Sequence, residues 1–487
     1  MNGILRAELA PRTSDDRMAT QLDNRSDSRP SGWLEQRFCL SLRETSVAIE
    51  FRAAVATFMV MAYIIFANAG ILGTIADSDG ERLAFPAVLT VTCLSAGCLC
   101  VLMGLFANVP FALAPGMGLN AVVAFQLVGQ MKLTWPQAMT IIVVEGTLIL
   151  LLVLTRFREA VMNAIPLSQK RAIGAGIGMF IALIGFVNSG LVVQGKGTVV
   201  ALGSPSGLRI MVFVIGFLVM GWLLIRRVPG ALVLGILLAS VAAVALNLTF
   251  GQGKAFGAAA VLPTQGFGLG YGLWGEDAIF GRLDFQVFRK LGLPTAAMVI
   301  FSVMLSDFFD TMGTAVALGQ KAGFIDRQGK FRGIHRVLLV DSLGAIFGGF
   351  CNSSSNTLYI ESAAGISEGG RTGLTAVFVG LFFVGAILLS PVASVIPAEA
   401  TAPSLILVGL MMMTIVQDIP WTSYEEAIPA FVTLLLMPFT YSITNGIGAG
   451  FIAYTLLKLA SGKVRELHPL LLLAATAFLV YFSLPIA

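Results

Sequence analysis

From Ala53 to the C-terminus the chain is a series of apolar runs, each about 20 residues long, the length that crosses a bilayer as a helix. They fall near 53–76, 85–107, 136–155, 170–190, 208–226 and 229–250, and resume near 295–320, 336–350, 372–391, 402–417, 428–443 and 444–458. In hydrocarbon every backbone N–H and C=O must be satisfied within the protein, which leaves helices and closed barrels as spanning structures. Runs of this length select helices. Composition agrees, because 56% of the 487 residues are hydrophobic and 12% are charged, about half the charged share of a soluble domain. The expected fold class is an all-α polytopic membrane protein.

The same composition excludes other classes. A net charge of +4 fits cytoplasmic loops biased to Lys and Arg, not a nucleic-acid surface. The five cysteines (Cys39, Cys93, Cys98, Cys100, Cys351) have neither metal-ligand nor disulfide-framework spacing, and the two histidines, His335 and His468, stand beside loops. No cofactor or metal is expected. Residues 1–50 are polar, lack an apolar core like that of a signal peptide, and read as a mobile cytoplasmic tail with a short interfacial segment at Trp33–Leu42.

Two segments break the pattern. Residues 111–128 and 353–367 are interrupted by Pro, Gly, Ser and Asn, and interrupted backbone at membrane depth is tolerated only where it lines a cavity. Each is the third element of its half of the chain. Ile165-Pro166 precedes Gly178, and Ile396-Pro397 precedes Gly409 at the same spacing; both pairs open an apolar run. Two halves of about seven spans have opposite orientations because seven is odd, the inverted-repeat plan of secondary transporters. The expectation is about fourteen transmembrane segments in a 7+7 inverted repeat, with two broken half-helix or short-strand segments. The run 469–486 reads either as a further span or as a helix packed on the bundle.

Charge sets the direction. Arg52, Arg156, Arg158, Lys170, Arg171, Arg226 and Arg227 mark cytoplasmic ends in the first half. Lys321, Arg327, Lys330, Arg332 and Arg336 mark one in the second, and all agree with a cytoplasmic N-terminus. The Gly-rich stretch 251–294 is then an extracytoplasmic connection between the halves.

Function is sought at the buried polar groups. Asp307 and Asp310 stand in an otherwise apolar run, Ala297–Leu318. A carboxylate at mid-bilayer costs at least ~2.5 kcal/mol on insertion scales, so such residues face a cavity or one another. Positions i and i+3 lie near one helix face, so both aspartates are expected to address one cavity. Like charges that close cannot comfortably both ionise, which suits a group that takes up and releases a proton. The plainer reading is a salt bridge to a neighbouring helix, but no Lys or Arg lies deep in a run. The segment Asn352-Ser-Ser-Ser-Asn-Thr-Leu-Tyr-Ile-Glu361 adds Ser355, Thr357 and a third acid, unless it is a solvated loop. In Ala114-Pro-Gly-Met-Gly-Leu-Asn120 the Pro-Gly break opens a half-helix whose bare N–H groups and Asn120 face the cavity, or else Asn120 caps the kink. Gly369-Gly-Arg-Thr-Gly373 lacks the spacing and Lys of a phosphate loop and reads as a tight turn. Glu145 is a lone acid, structural or peripheral to the cavity.

These residues carry a resemblance. Thr57-Phe-Met-Val-Met-Ala-Tyr-Ile-Ile-Phe-Ala-Asn68, Ala114-Pro-Gly-Met-Gly-Leu-Asn-Ala121, Asp307-Phe-Phe-Asp-Thr311 and Tyr359-Ile-Glu-Ser-Ala-Ala-Gly365 closely resemble the AzgA-like purine permeases, nucleobase transporters of the nucleobase–cation symporter-2 superfamily with a uracil-permease-like fold. The resemblance runs from about Thr57 to Leu459. It implies proton-coupled uptake of adenine, guanine or hypoxanthine across the cytoplasmic (inner) membrane by alternating access. It implies a core domain (51–165 and 295–395) moving against a gate domain (166–250 and 396–487), and related folds often form homodimers through the gate. By motif match Asn120, Asp307 and Glu361 contact the purine, with Asn68, Ser355 and Thr357 as further contacts, and Asp310, with Asp307, serves proton coupling. The partners implied are a purine, a proton and the lipid bilayer. Against an enzyme stands the lack of any HExxH or nucleophile-elbow motif; against a channel or anion carrier stand three acids with no deep cation.

Overall fold

The computed structural model describes residues 32–155, 164–195, 197–204, 207–251, 255, 256, 260, 273, 278–324, 331, 333–389 and 395–483. A short helix α1 (Trp33–Phe38) precedes α2 (Val47–Met61) and α3 (Tyr63–Leu72), which together make one apolar rod. α4 (Phe85–Leu102) ends in a π-helical turn, and strand β1 (Leu113–Pro115) leads into α5 (Met117–Ala121) with its π-helical continuation Val122–Gln130. Then follow α6 (Trp135–Leu154), α7 (Leu167–Asn188), the hairpin β2 (Val192–Val193) and β3 (Ala201–Leu202), α8 (Leu208–Ile225) and α9 (Ala231–Thr249). The second half holds α10 (Val287–Leu291), α11 (Leu293–Lys321), α12 (Ile334–Phe350), strand β4 (Asn356–Leu358), α13 (Ser362–Ser367) and α14 (Gly373–Ala386). It closes with α15 (Ala398–Met413), α16 (Tyr424–Phe439), α17 (Ile443–Ala460) and α18 (Pro469–Ser483). Among the described residues nine helices are long and apolar enough to cross a membrane.

Local signals explain several boundaries. Thr134 and Gln137 form a reciprocal capping box at the start of α6, and Pro136 occupies its first turn, where its missing N–H costs nothing. The break expected near Thr444 falls between α16 and α17, where Ser442 caps Asn445 N–H. Within the run 469–486, Pro469–Ser483 form α18, packed on α17 through Phe478 against Phe451.

The two broken segments satisfy one another. β1 pairs antiparallel with β4 in the register Leu113 with Leu358, Ala114 with Thr357 and Pro115 with Asn356, and all six residues are buried. Gly116 N–H donates to Ser355 O at 2.8 Å and Tyr359 N–H to Ala112 O at 3.0 Å, extending the ladder past both ends. Before each strand the chain turns through a left-handed asparagine, Asn108 (φ 53°) and Asn352 (φ 58°), a residue whose short side chain tolerates that region.

The second sequence correspondence is also visible in space. Pro166 and Pro397 stand at the N-caps of α7 and α15, and these two helices cross at Gly178 and Gly409. A Cβ on Gly409 would lie 2.4 Å from Gly178 O, and one on Gly178 would lie 2.8 Å from Gly409 O. Small residues let transmembrane backbones approach this closely.

The chain departs from expectation at its start. Residues 33–50 were expected to belong to a mobile tail, yet Phe38 and Leu40 are buried against Leu374, and Arg43 donates to Asn108 O and Arg371 O at 2.7 Å each. Buried aromatic and aliphatic contacts plus two charged hydrogen bonds outweigh the polar composition there. The rest of the tail, half of the Gly-rich connection, and Arg156, Arg158, Arg327, Lys330 and Arg332 lie outside the described residues.

The helix crossing yields a test. Gly409→Val should lower the unfolding temperature in detergent, at a cost of about 1–3 kcal/mol from overpacking. Gly174→Ala, where a Cβ meets nothing within 4 Å, should leave it unchanged. Equal melting temperatures for all three proteins would show that the crossing is not tight.

Candidate functional site

Helix α11 presents two polar faces. Ser306, Asp310 and Gly313, at helical spacing, line a cavity of about 620 Å³, within the size range of small-molecule sites. Facing them are Lys170, Arg171, Ile173 and Ile177 of α7, Met411 and Met412 of α15, and Ile360 and Glu361 just past β4. Asp307 and Thr311 lie on the adjoining face and point elsewhere, into the protein.

At the cavity wall Tyr63 Oη donates to Glu361 Oε1 at 2.9 Å. The Tyr359 hydroxyl donates to Pro115 O at 2.6 Å, tying the end of β4 to β1. Asp310 and Glu361 thus line the same cavity, with Glu361 held by Tyr63. Arg171, at the end of the cavity near Leu167 and Thr414, donates to Asp418 O. This arrangement offers a flat polar ligand two carboxyl acceptors and apolar walls for its faces.

Behind the strands sits a buried polar cluster. Asp307, 2% exposed, accepts from Ser355 Oγ at 2.7 Å. Thr311 Oγ1 donates to Asp341 Oδ1 at 2.9 Å and shares a hydrogen bond of 3.1 Å with Thr357 Oγ1. Glu145 of α6 is wholly buried, and neither of its carboxyl oxygens has a hydrogen-bond partner among the described residues.

The expected site residues thus separate into groups. Glu361 and Asp310 border the cavity, while Asp307, Ser355 and Thr357 belong to the cluster behind it. The expectation that both aspartates address one cavity is corrected. Three residues along a helix leave an offset of about 60°, enough for β4 to take one carboxyl while the cavity takes the other. Asn68 Nδ2 donates to Thr92 Oγ1 at 2.7 Å and Ser353 O at 3.1 Å, so this side of the amide anchors the turn before β4. Asn120 is buried with neither amide atom hydrogen-bonded. The Gly369–Gly373 motif is a turn, with Thr372 capping α14 and Glu50 accepting from the Arg371 and Thr372 N–H groups.

Three kinds of residue were missed. Asp341 stands in an apolar run as Asp307 does, and the same insertion cost would have singled it out. Tyr63 carries no such signal, because an aromatic in an apolar helix is ordinarily core. Lys170 and Arg171 mark a helix end by charge, and only the packing of α7 beside α11 shows that they line the cavity.

Past Ile177 on α7 the cavity gives way to a packed layer. Phe180, Phe125 and Tyr441 stack edge to face, with centroids 5.7–6.4 Å apart. Gln126 Nε2 donates to Thr444 Oγ1 at 2.6 Å and Gln130 Nε2 to Thr440 O at 2.8 Å.

Comparison with known proteins decides the family. Residues 49–449 match the model of the permease family Xan_ur_permease. The chain belongs to this permease family. It is 38% identical to adenine permease AdeQ of Escherichia coli over 93% of this chain and 96% of that one. Identity to the guanine/hypoxanthine permease PbuG of Bacillus subtilis is 36%, over 90% and 97% of the two chains. The resemblance to AzgA-like purine permeases therefore holds along nearly the whole chain, and the protein is a multi-pass membrane transporter, not an enzyme. The fold is shared with the transmembrane domain of the cyanobacterial bicarbonate transporter BicA (TM-score 0.58, 13% identity, 82% of this chain and 97% of that one). It is shared as well with SLC26A9 (TM-score 0.59, 11% identity, 92% and 70%).

The permease cavity has a direct check at Tyr63. Tyr63→Phe removes the hydroxyl donor to Glu361 and should cost about 1–3 kcal/mol of stability, the penalty for stripping a buried acceptor of its partner. Thermal unfolding in detergent would read this. An unchanged transition would mean that Glu361 finds another donor at no cost.

Proposed function

We propose that this permease imports purine nucleobases (adenine, guanine or hypoxanthine) by proton symport. The observation that carries the reading is the meeting of Asp310 and Glu361 in one cavity beside the paired strand ends. Glu361, oriented by Tyr63, accepts the N–H edge of the purine. Asn120, whose buried amide has no protein partner, supplies both a donor and an acceptor to the ring. Asp310 takes up the proton. Asp307 acts from behind β4, positioning Ser355, and with Thr357 it stiffens the strand on which the ligand rests. Asn68 supports the same arm from the other side.

Alternating access follows from the layout. The cavity runs toward Leu167, Lys170 and Thr414, the end that the distribution of Lys and Arg makes cytoplasmic. The Phe125–Phe180–Tyr441 layer and the Gln126–Thr444 and Gln130–Thr440 bonds close the opposite side. We read this as an inward-facing state of a 7+7 inverted repeat in the inner membrane, N-terminus inside. The core is 51–165 with 295–395, and the gate is 166–250 with 396–487. The mutual contact of Gly178 and Gly409 and the antiparallel β1–β4 pair support the repeat, since a two-fold axis carries each member onto its partner.

A second reading, anion transport, draws on Lys170 and Arg171 at the cavity. The two acids deeper in the same cavity oppose it.

Uptake of labelled adenine, guanine and hypoxanthine into proteoliposomes tests the proposal. An inward proton gradient should drive accumulation, excess unlabelled purine should compete, and bicarbonate should not. Asp310→Asn should lose accumulation more than binding. Accumulation that ignores the gradient would refute symport, and competition by bicarbonate alone would favour the anion reading.

A further inference from the structure

Lys170 and Arg171 take no part in holding a purine, yet both line the cavity. As charges that merely anchor a cytoplasmic helix end they would have no need to face it. They stand near the start of α7, beside Leu167 and Thr414 at the mouth, while Asp310 and Glu361 line the same space. Farther along α7, Ile177 also lines the cavity and meets the half-helix α5: a Cβ on Gly118 would lie 2.6 Å from Ile177 Cγ2. Thr357 of β4 belongs to the same level, since a Cβ on Gly116 would lie 2.5 Å from its Cγ2, and it bonds Thr311, the neighbour of Asp310. Arg171 comes six residues before Ile177, about 9 Å along the helix axis. The cavity thus has carboxyl acceptors at its inner end and two cations nearer the cytoplasm. Arg171 gives an N–H to Asp418 O, and its guanidinium carries further donors in the same plane.

A purine base fills little of a cavity of about 620 Å³, a volume that suits a drug-sized ligand. A purine nucleoside 5′-monophosphate matches the remainder, because its phosphate is set off from its base by a distance of this order. Charge-assisted hydrogen bonds make Arg and Lys the ordinary partners of phosphate. We propose that the inward-facing cavity binds a purine nucleoside monophosphate from the cytoplasm, base at Asp310 and Glu361 and phosphate at Lys170 and Arg171, and that this ligand inhibits the permease. The inference rests on the purine reading of the cavity and adds a second ligand to it. Inhibition follows from where the four residues stand. In the proposed division of the fold Asp310 and Glu361 belong to the core, whereas Lys170 and Arg171, on α7, belong to the gate. A base alone travels with the core. A nucleotide held at both ends pins core to gate and arrests the movement between them, so purine already present as its phosphate ester slows further uptake.

Competition against labelled adenine on the purified permease in detergent tests this, with adenosine monophosphate, adenosine, ribose 5-phosphate and inorganic phosphate as competitors. The monophosphate should displace adenine about tenfold better than adenosine does, and ribose 5-phosphate and phosphate should not displace it. In Lys170→Gln/Arg171→Gln the advantage of the monophosphate over adenosine should vanish. Lys170→Gln alone, which leaves the bond from Arg171 to Asp418 O in place, should show a reduced advantage, and adenine binding by each variant reports that its cavity is intact. In proteoliposomes, adenosine monophosphate on both sides should slow counterflow of labelled adenine, and labelled monophosphate should not itself be taken up. A monophosphate no better than adenosine, an unchanged advantage in both variants, or uptake of the labelled monophosphate would overturn the proposal. Displacement by inorganic phosphate as strong as by the monophosphate would also overturn it, since the cations would then serve anions in general. Failure of the purine reading is seen separately, as absence of adenine binding by the unaltered protein before any nucleotide is added.

Discussion

The antiparallel pairing of β1 with β4 is the contact on which the site depends. Broken backbone in the middle of a bilayer leaves N–H and C=O groups with no water to turn to. Here each broken segment answers the other, through three residue pairs and the flanking bonds from Gly116 and Tyr359. The pairing brings two segments more than two hundred residues apart in sequence to one place. Around it stand the two acid-bearing surfaces, a cavity in front with Asp310 and Glu361, and a buried cluster behind with Asp307 and Asp341. Without the ladder Ser355 and Thr357 would have no fixed position from which to hold the cluster.

The two faces of α11 divide the chemistry. Residues 306, 310 and 313 meet the cavity, and 307 and 311 meet the β4 arm. The cavity and the acid cluster behind the arm are then separated by a layer of hydroxyl side chains, Ser355 and Thr357.

Much of this was legible in the sequence. The apolar runs gave the helices to within a few residues, since length and hydropathy in a bilayer leave little freedom. The Pro-Gly break at 115–116 and the Ser-rich stretch before Glu361 marked the interrupted elements, because neither composition can continue a lipid-facing helix. The matched spacing Pro166 to Gly178 and Pro397 to Gly409 anticipated a contact that is physically present. The sequence did not reveal which way each acid points. A 60° difference between Asp307 and Asp310 is below what helical spacing resolves, and the strand that decides it comes from β4, far along the chain. Nor did it reveal that Asp341 joins Thr311 beside the β4 arm, because that depends on the packing of α12 against α11. Arg43 shows the reverse case: a polar tail that folds because its few apolar residues find a groove.

The purine site proposed for this permease is the cavity between Asp310 and Glu361, in front of the paired strands. A structure determined with adenine bound tests this most directly. The ring should then lie within hydrogen-bonding distance of Glu361, with Asn120 at its edge and Asp310 alongside. A ring seated away from both carboxyls, or in the apolar groove formed by Leu148, Phe288 and Ile300, would contradict it.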